Sequence, residues 1–237
     1  MAAKSAIRQP GALKARVKSL GEDALASFSA THKAREGALR LSRDMIRRSA
    51  ESIRATHRGE FANARALVEE AARLSAELER VLEKQPGVYF AGFVEDAQKE
   101  YAEASLTLAI IEGSPLPGRQ DLGVGAAPYM NGLAEAMGEM RRYILDALRR
   151  GDFSRCEDLL DLMDEAYTLL VSMDFPDAVT GGLRRNTDMV RGVLERTRGD
   201  LTFALRQERL ERKLERFQDA LPGARRRGPS KARQSKS

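Results

Sequence analysis

Apolar residues recur at alternating spacings of three and four along most of this chain, and this period constrains its fold more than any other feature. Such spacing places apolar side chains on one face of a helix. No segment alternates apolar and polar residues, with β-branched enrichment, for long enough to form a strand. The sequence therefore predicts an all-α fold. The clearest example of the period is the set Val94, Ala97, Tyr101, Ala104, Leu108 and Ile111.

We expect one helical domain over residues 11–221, preceded by a flexible N-terminus, 1–10, and followed by a disordered basic tail, 222–237. The formal net charge is +5, but six basic residues lie in the tail, so the rest of the chain carries −1. Glycine and proline mark the ends of the helices. The expected helices span about 12–58, with a break near Gly21, then 60–84, 87–112, 129–150, 153–172 and 182–221, with a loop at 113–127.

Cysteine usage and hydropathy indicate a soluble, cytoplasmic protein. The single cysteine, Cys156, excludes an intrachain disulfide and fits a reducing compartment. No signal-peptide core begins the chain, and no apolar run approaches membrane-spanning length. No histidine lies near Cys156 in sequence to activate it, so we expect a core residue. His32 and His57 are far apart and are expected to be surface or packing residues, not metal ligands.

Two expected helices each carry a pair of acids, Glu100 with Glu103 and Glu135 with Glu139. Spacings of three and four place each pair on one helix face, where like charges repel. Carboxylate oxygens suit Mg²⁺ or Mn²⁺, and such an ion could generate a hydroxide nucleophile for phosphodiester hydrolysis. The alternative is a solvated acidic face. Both interpretations stay open from spacing alone.

Two glycines, Gly132 and Gly138, lie in the same expected helix as the second acid pair. Each costs about 1 kcal/mol relative to alanine in a helix. We therefore expect another helix to pack closely near these acids.

Five arginines fall on one face of the first expected helix: Arg40, Arg43, Arg47, Arg54 and Arg58. The guanidinium fork matches phosphate oxygens, and a row of such charges on a rigid helix can follow a nucleic-acid backbone. The alternative is that these long side chains simply solvate a surface helix. The pattern makes this face a candidate nucleic-acid-binding surface.

Several segments together resemble the translin superfamily, and are closer to its translin-associated factor X branch than to translin. The similarity extends from about Lys33 to Phe217. The segments are RLSRD at 40–44, QKEYAEA at 98–104, YMNGLAEAMGEMRR at 129–142, GGLRRNTD at 181–188 and ERTRGDLT at 195–202.

This resemblance implies a seven-helix α fold in a closed, octamer-like homo-oligomer that binds single-stranded RNA, and possibly DNA, on basic inner surfaces. In the translin-associated factor X branch it also implies a Mg²⁺-dependent endoribonuclease. The family's catalytic and metal-binding acids correspond to Glu100, Glu103, Glu135 and Glu139. In one position this chain departs from the family pattern, Asp-Leu-Thr-Gly-Glu, because Glu135 replaces the aspartate.

The sequence therefore predicts a metal-dependent endoribonuclease that binds and cleaves single-stranded RNA, with a carboxylate-held Mg²⁺ or Mn²⁺ ion activating water. A non-catalytic single-stranded RNA- or DNA-binding protein of the translin type is the first alternative. A helical scaffold for protein partners is the second, because long amphipathic helices also suit that role.

Overall fold

The computed structural model describes residues 10–89 and 91–220, and within these ranges it contains helices and no strand. The predicted all-α fold is confirmed. Six long helices and two four-residue helices occur in the described ranges, close to the seven that the family resemblance implies. The helices are α1 (Pro10–His57), α2 (Phe61–Lys84), α3 (Phe93–Glu112), α4 (Arg119–Leu122), α5 (Ala126–Arg149), α6 (Cys156–Val171), α7 (Asp177–Thr180) and α8 (Leu183–Ala220).

The observed helix boundaries differ from the predicted ones in several places; α5 begins at Ala126 instead of 129, and α6 begins at Cys156 instead of 153. The predicted break near Gly21 is wrong, because α1 runs through it without interruption; an isolated glycine weakens a helix by only about 1 kcal/mol. The third helix begins at Phe93, after a short 3₁₀ turn at Pro86–Val88. The predicted loop at 113–127 contains α4. The predicted disordered tail, 222–237, and the predicted flexible N-terminus, 1–10, lie outside the described residues, except for Pro10, which begins α1.

Helix α3 is the centre of the fold. It packs against α1 and α2 on one side of the molecule and against α5 on the other, while α5 also packs against α6 and α8. Every residue from 101 to 111 is buried, so this part of α3 is enclosed on all sides by the rest of the fold. Buried residues such as Leu106, Met137 and Met163 form one core cluster, and Met45, Ala71 and Ala97 belong to another.

Gly113 ends α3 in the left-handed conformation, with φ of 81°, and its N–H donates to the carbonyl of Ala109. This is the usual helix ending, in which glycine avoids the steric cost that other residues meet there. The chain then crosses through α4 and starts α5 beside α3. Cys156 is buried in the core, as predicted.

The two longest helices extend beyond the packed body. All side chains from residue 11 to residue 33 of α1 are exposed. Toward the end of α8 the large apolar side chains are exposed as well. These exposed residues include Leu13, Val17, Leu20, Phe28, Phe203, Leu210, Leu214 and Phe217. Among the described residues, no helix is both long enough and apolar enough to span a membrane.

Candidate metal and nucleic-acid site

The four acids are positioned by the contact between α3 and α5. At Gly132 on α5, a Cβ atom would lie only 2.7 Å from the carbonyl oxygen of Lys99 and 2.9 Å from the backbone nitrogen of Glu103. Only glycine permits so close an approach. The predicted close packing is therefore found at Gly132. It is not found at Gly138, where an added Cβ would have no neighbour within 4 Å, so that part of the prediction is wrong.

Three of the four acids converge. One carboxylate oxygen from each of Glu100, Glu103 and Glu135 lies within 4.8 Å of the others. Glu103 is buried, with 8% of its surface exposed, whereas Glu100 and Glu135 are partly buried. Carboxylates this close repel strongly when all are ionised, and the effect grows as water is excluded. We call these three residues the carboxylate cluster.

Protonation of Glu103 relieves part of this repulsion. Burial, together with the charges of Glu100, Glu135 and Glu139, raises the pKa of Glu103 from its ordinary value of 4.5 to about 8. Burial also raises the pKa of Glu100, and the positive charge of Lys99 opposes that rise. At neutral pH the isolated cluster therefore favours the protonated form of Glu103. A divalent cation would compete with that proton.

Lys99 is the counter-charge that the chain itself supplies to the cluster. Its Nζ lies 2.9 Å from Oε1 of Glu135 and 3.6 Å from Oε1 of Glu100. Burial alone would lower the pKa of Lys99, but the hydrogen bond and the charge of Glu135 outweigh it, and the pKa is raised. Lys99 is the neighbour of Glu100 in the sequence. Its contact with Glu135 crosses from α3 to α5 and does not follow from spacing.

Glu139 lies outside the three-residue cluster and contacts α1. Nε2 of His57 lies 2.5 Å from Oε2 of Glu139, and Arg142 lies 3.6 Å from the same oxygen. The hydrogen bond with His57 is the largest of the effects that lower the pKa of Glu139. Oε1 of Glu139 makes no hydrogen bond within the described ranges, so it is available to a water molecule or an ion.

His57 is the site residue that sequence reasoning missed. Its side chain is only 5% exposed, and it was expected to be a surface or packing residue. A signal did exist, because His57 follows the apolar residue Ile53 by four positions and so continues the buried stripe of α1. A histidine at a buried position requires a polar partner. The sequence could not identify Glu139, which is 82 residues away, as that partner.

The five predicted RNA-binding arginines are all exposed, four of them on α1 and Arg58 directly after its end, but they are not equivalent. Arg47 pairs with Asp44 at 2.8 Å, and Arg58 pairs with Glu60 at 2.6 Å. The other three, Arg40, Arg43 and Arg54, have no ion pair among the described residues. We call these three the unpaired arginines. They are the members of the stripe whose charge is fully available to a polyanion.

The carboxylate cluster fits a hard divalent cation. Three carboxylates from two rigid helices supply oxygen ligands of the kind that Mg²⁺ and Mn²⁺ prefer. Burial, together with the charges of Glu100, Glu135 and Glu139, raises the pKa of Glu103 more than the positive charge of Lys99 lowers it. The cluster could therefore hold a metal ion.

Comparisons with known proteins agree with this fold. The chain is 34% identical to AfC3PO, whose crystal structure matches with a TM-score of 0.72 over 77% of this chain and 95% of that chain. AfC3PO has also been solved as a complex with duplex RNA, with the same similarity. The structure of apo-NeC3PO matches with a TM-score of 0.70 at 20% identity, over 77% of this chain and 96% of that one, and so supports the fold alone.

The chain is also 28% identical to the uncharacterized protein MJ0175 of Methanocaldococcus jannaschii, over 79% of this chain and 83% of that protein. No protein-family model matches the sequence. The similarity to AfC3PO extends along nearly the whole of that chain and agrees with the segments in which the sequence resembles the translin family. The chain is a member of the translin superfamily.

Proposed function

We propose that this protein is a metal-dependent endoribonuclease. The observation that carries the proposal is the convergence of Glu100, Glu103 and Glu135 around a buried carboxyl group whose pKa is raised to about 8. Groups with such displaced pKa values, held in a polar site between rigid helices, are typical of functional centres. The structure of AfC3PO with duplex RNA supports RNA as the substrate class.

In this proposal Glu100, Glu103 and Glu135 hold a Mg²⁺ or Mn²⁺ ion. When bound, the ion supplies Lewis-acid activation of phosphodiester hydrolysis. Glu103 releases its proton when the cation binds. Glu139 stays ionised at neutral pH because His57 holds its pKa low, and its free Oε1 can accept a hydrogen bond from water. Lys99 limits the net charge of the site while an anionic backbone approaches.

The unpaired arginines Arg40, Arg43 and Arg54 serve, in this proposal, to bind the RNA backbone. Their exposure and their lack of ion pairs in the described ranges support this role. Single-stranded RNA is the proposed substrate, and an RNA duplex is tested beside it because AfC3PO has been solved with duplex RNA.

A homo-oligomer is the proposed working form, in a closed, octamer-like arrangement. The exposed apolar side chains on the extended parts of α1 and α8 support self-association, because apolar surface exposed in such quantity usually marks an interface. Light scattering coupled to size-exclusion chromatography measures the assembly directly. A monomer at micromolar concentration would contradict this part of the proposal.

The deciding experiment incubates labelled RNA, single-stranded and as a duplex of the same sequence, with Mg²⁺ or Mn²⁺. The variant Glu103→Gln preserves the shape of the buried side chain and removes its charge. The matched control is Glu83→Gln, at an exposed acid on α2. We expect cleavage by the wild type and the control, and none with EDTA or Glu103→Gln. Cleavage that persists equally in the last two would overturn the proposal.

A non-catalytic RNA-binding protein is the second candidate, and a specific observation favours it. Lys99 already pairs with Glu135 and Glu100, and His57 already pairs with Glu139. Acids with such partners can be structural. RNA binding without cleavage under any metal condition would support this candidate.

A further inference from the structure

A cavity of about 570 Å³ adjoins the carboxylate cluster. It shares Glu135 with the cluster and Lys99 with its counter-charge. Its volume lies within the roughly 300–1,000 Å³ range of small-ligand sites. This cavity has no role in the catalytic proposal. Its other polar side chains belong to the beginnings of α3, α5 and α8: Glu95, Asp96, Asn131, Arg185 and Asn186.

Arg185 provides the cavity with a free cation. It is exposed and has no ion pair among residues 10–89 and 91–220, whereas its neighbour Arg184 pairs with Asp174 at 3.2 Å and does not line this cavity. A guanidinium group binds phosphate through paired, charge-assisted hydrogen bonds. Arg185 is therefore suited to an anionic group that enters the cavity.

Asn186 is oriented by a buried neighbour. Asn131 is 4% exposed; its Nδ2 donates to the carbonyls of Ala127 and Thr180, at 2.9 and 2.8 Å. Its Oδ1 accepts from Nδ2 of Asn186 at 2.9 Å. This chain of hydrogen bonds fixes the amide of Asn186. The Oδ1 atom of Asn186 keeps no partner in the described part of the chain and can accept a hydrogen bond from a ligand.

Glu95 and Asp96 add further acceptors to the same cavity. A simple phosphate would gain nothing from them and would be repelled. A nucleotide differs, because it joins a phosphate to a base that carries N–H donors. Carboxylates and amide oxygens accept hydrogen bonds from the exocyclic amine of cytosine.

The geometry points to a single-nucleotide subsite in this cavity. Arg185 binds the phosphate of one RNA nucleotide, and Asn186, with Glu95 and Asp96, accepts hydrogen bonds from its base. Through Glu135 the subsite places that nucleotide beside the carboxylate cluster. The identification of the ligand as part of an RNA strand rests on the proposed function.

The test measures nucleotide binding separately from cleavage. Cytidine 5′-monophosphate, cytidine, uridine 5′-monophosphate and inorganic phosphate are titrated into the full-length protein in EDTA at low salt, with NMR or calorimetry as the readout. The variant is Arg185→Ala, and its matched control is Arg184→Ala on the adjacent position. A second variant, Asn186→Ala, tests the base contact. Circular dichroism shows that each variant is folded.

We expect Arg185→Ala to weaken the affinity for cytidine 5′-monophosphate at least tenfold and to leave the affinity for cytidine unchanged. Arg184→Ala should change neither affinity by more than twofold. The wild type should bind cytidine 5′-monophosphate more tightly than uridine 5′-monophosphate, whose base has no exocyclic amine, and Asn186→Ala should remove this preference. Equal affinity for inorganic phosphate and the nucleotide would overturn the nucleotide assignment, as would an unchanged affinity in Arg185→Ala.

RNA cleavage by the same variants separates this inference from the proposed function. Arg185→Ala should raise KM without changing Mn²⁺ affinity. Nucleotide binding that depends on Arg185, in a protein that cleaves no RNA, would support the subsite and refute the nuclease. If the wild type cleaves RNA in a metal-dependent way, and Arg185→Ala matches it in both nucleotide binding and cleavage, the subsite alone is refuted.

Discussion

His57 at the end of α1 hydrogen-bonds Glu139 in the middle of α5, with 2.5 Å between Nε2 and Oε2. This contact joins α1 to the acid-bearing helix and separates the four predicted acids into a cluster of three and one acid with its own partner. Glu139 is thereby kept ionised near neutral pH, whereas Glu103 favours its proton. Two carboxyl groups on neighbouring helices thus have pKa values displaced in opposite directions, which is a frequent property of acid–base sites.

Replacing His57 by alanine should lower the free energy of unfolding by about 1–3 kcal/mol at pH 7, because a partly buried carboxylate loses its hydrogen-bond partner. A depressed carboxyl pKa stabilises the fold above the unfolded value of 4.5 and loses this effect as pH falls through the folded value. The cost of His57→Ala should therefore shrink below pH 4.5. Urea denaturation at pH 7 and pH 4 measures it. His32→Ala, at an exposed position of the same helix, should cost nothing; equal effects of the two variants would contradict the prediction.

Metal-free protein should lose stability as pH rises from about 4.5 to about 8, the ordinary and folded pKa values of Glu103. Stability falls with rising pH because the folded state keeps a proton on Glu103 that the unfolded state releases in this interval. Glu103→Gln should remove this slope, and Glu83→Gln should retain it. Thermal unfolding in EDTA from pH 5 to pH 9 provides the measurement. A slope that survives in Glu103→Gln would show that another group causes it.

Mn²⁺ should raise the Tm of the wild type more at pH 8.5 than at pH 6.5, because the ion must displace the proton.

Gly132→Ala should destabilise the protein by about 1–3 kcal/mol, because the added methyl group would overlap the backbone of α3 at Lys99 and Glu103. The matched control is Gly138→Ala on the same helix, where an added Cβ meets nothing within 4 Å. That change should stabilise the protein by up to about 1 kcal/mol through helix propensity. Chemical denaturation of both variants tests the pair. A stabilising Gly132→Ala would mean that α3 and α5 are not so closely packed.

Lys99→Met should strengthen Mn²⁺ binding by about tenfold at pH 9, because the ion no longer competes with the ammonium group of Lys99 for the carboxylates. A tenfold change in affinity corresponds to about 1.4 kcal/mol. Lys99 contacts Glu135 and Glu100 and so occupies ligand atoms that a metal would use. Calorimetric titration with Mn²⁺ gives the affinity. Lys84→Met, at an exposed lysine on α2, is the control and should leave the affinity unchanged. Weaker binding in Lys99→Met would show that Lys99 supports the ion.

Removing Arg43 and Arg54 together should reduce RNA affinity and make it less dependent on salt. For a single strand, the slope of log K against log salt changes by about 0.7 for each phosphate that the protein neutralises, so the double variant should have a slope shallower by about 1.4. Fluorescence anisotropy with labelled RNA between about 50 and 200 mM salt measures the slope. The control replaces Arg209 and Arg216, exposed on α8, with alanine. Equal reductions in both double variants would mean that the binding follows net charge and not the α1 surface.

The sequence by itself determined the all-α fold, most helix ends and the placement of each acid pair on one face of its helix. It could do so because apolar periodicity, glycine and proline determine the local structure of the residues within one or two helical turns of them. The sequence did not predict short helices such as Arg119–Leu122, because four residues are too few to show a helical period.

Only the tertiary structure decided which side chains meet. The approach of α5 to α3 at Gly132 brings Glu135 to Glu100 and Glu103, and the end of α1 brings His57 to Glu139. Such contacts join residues tens of positions apart. They depend on the angles and separations at which whole helices pack, which the spacing within any one helix does not encode.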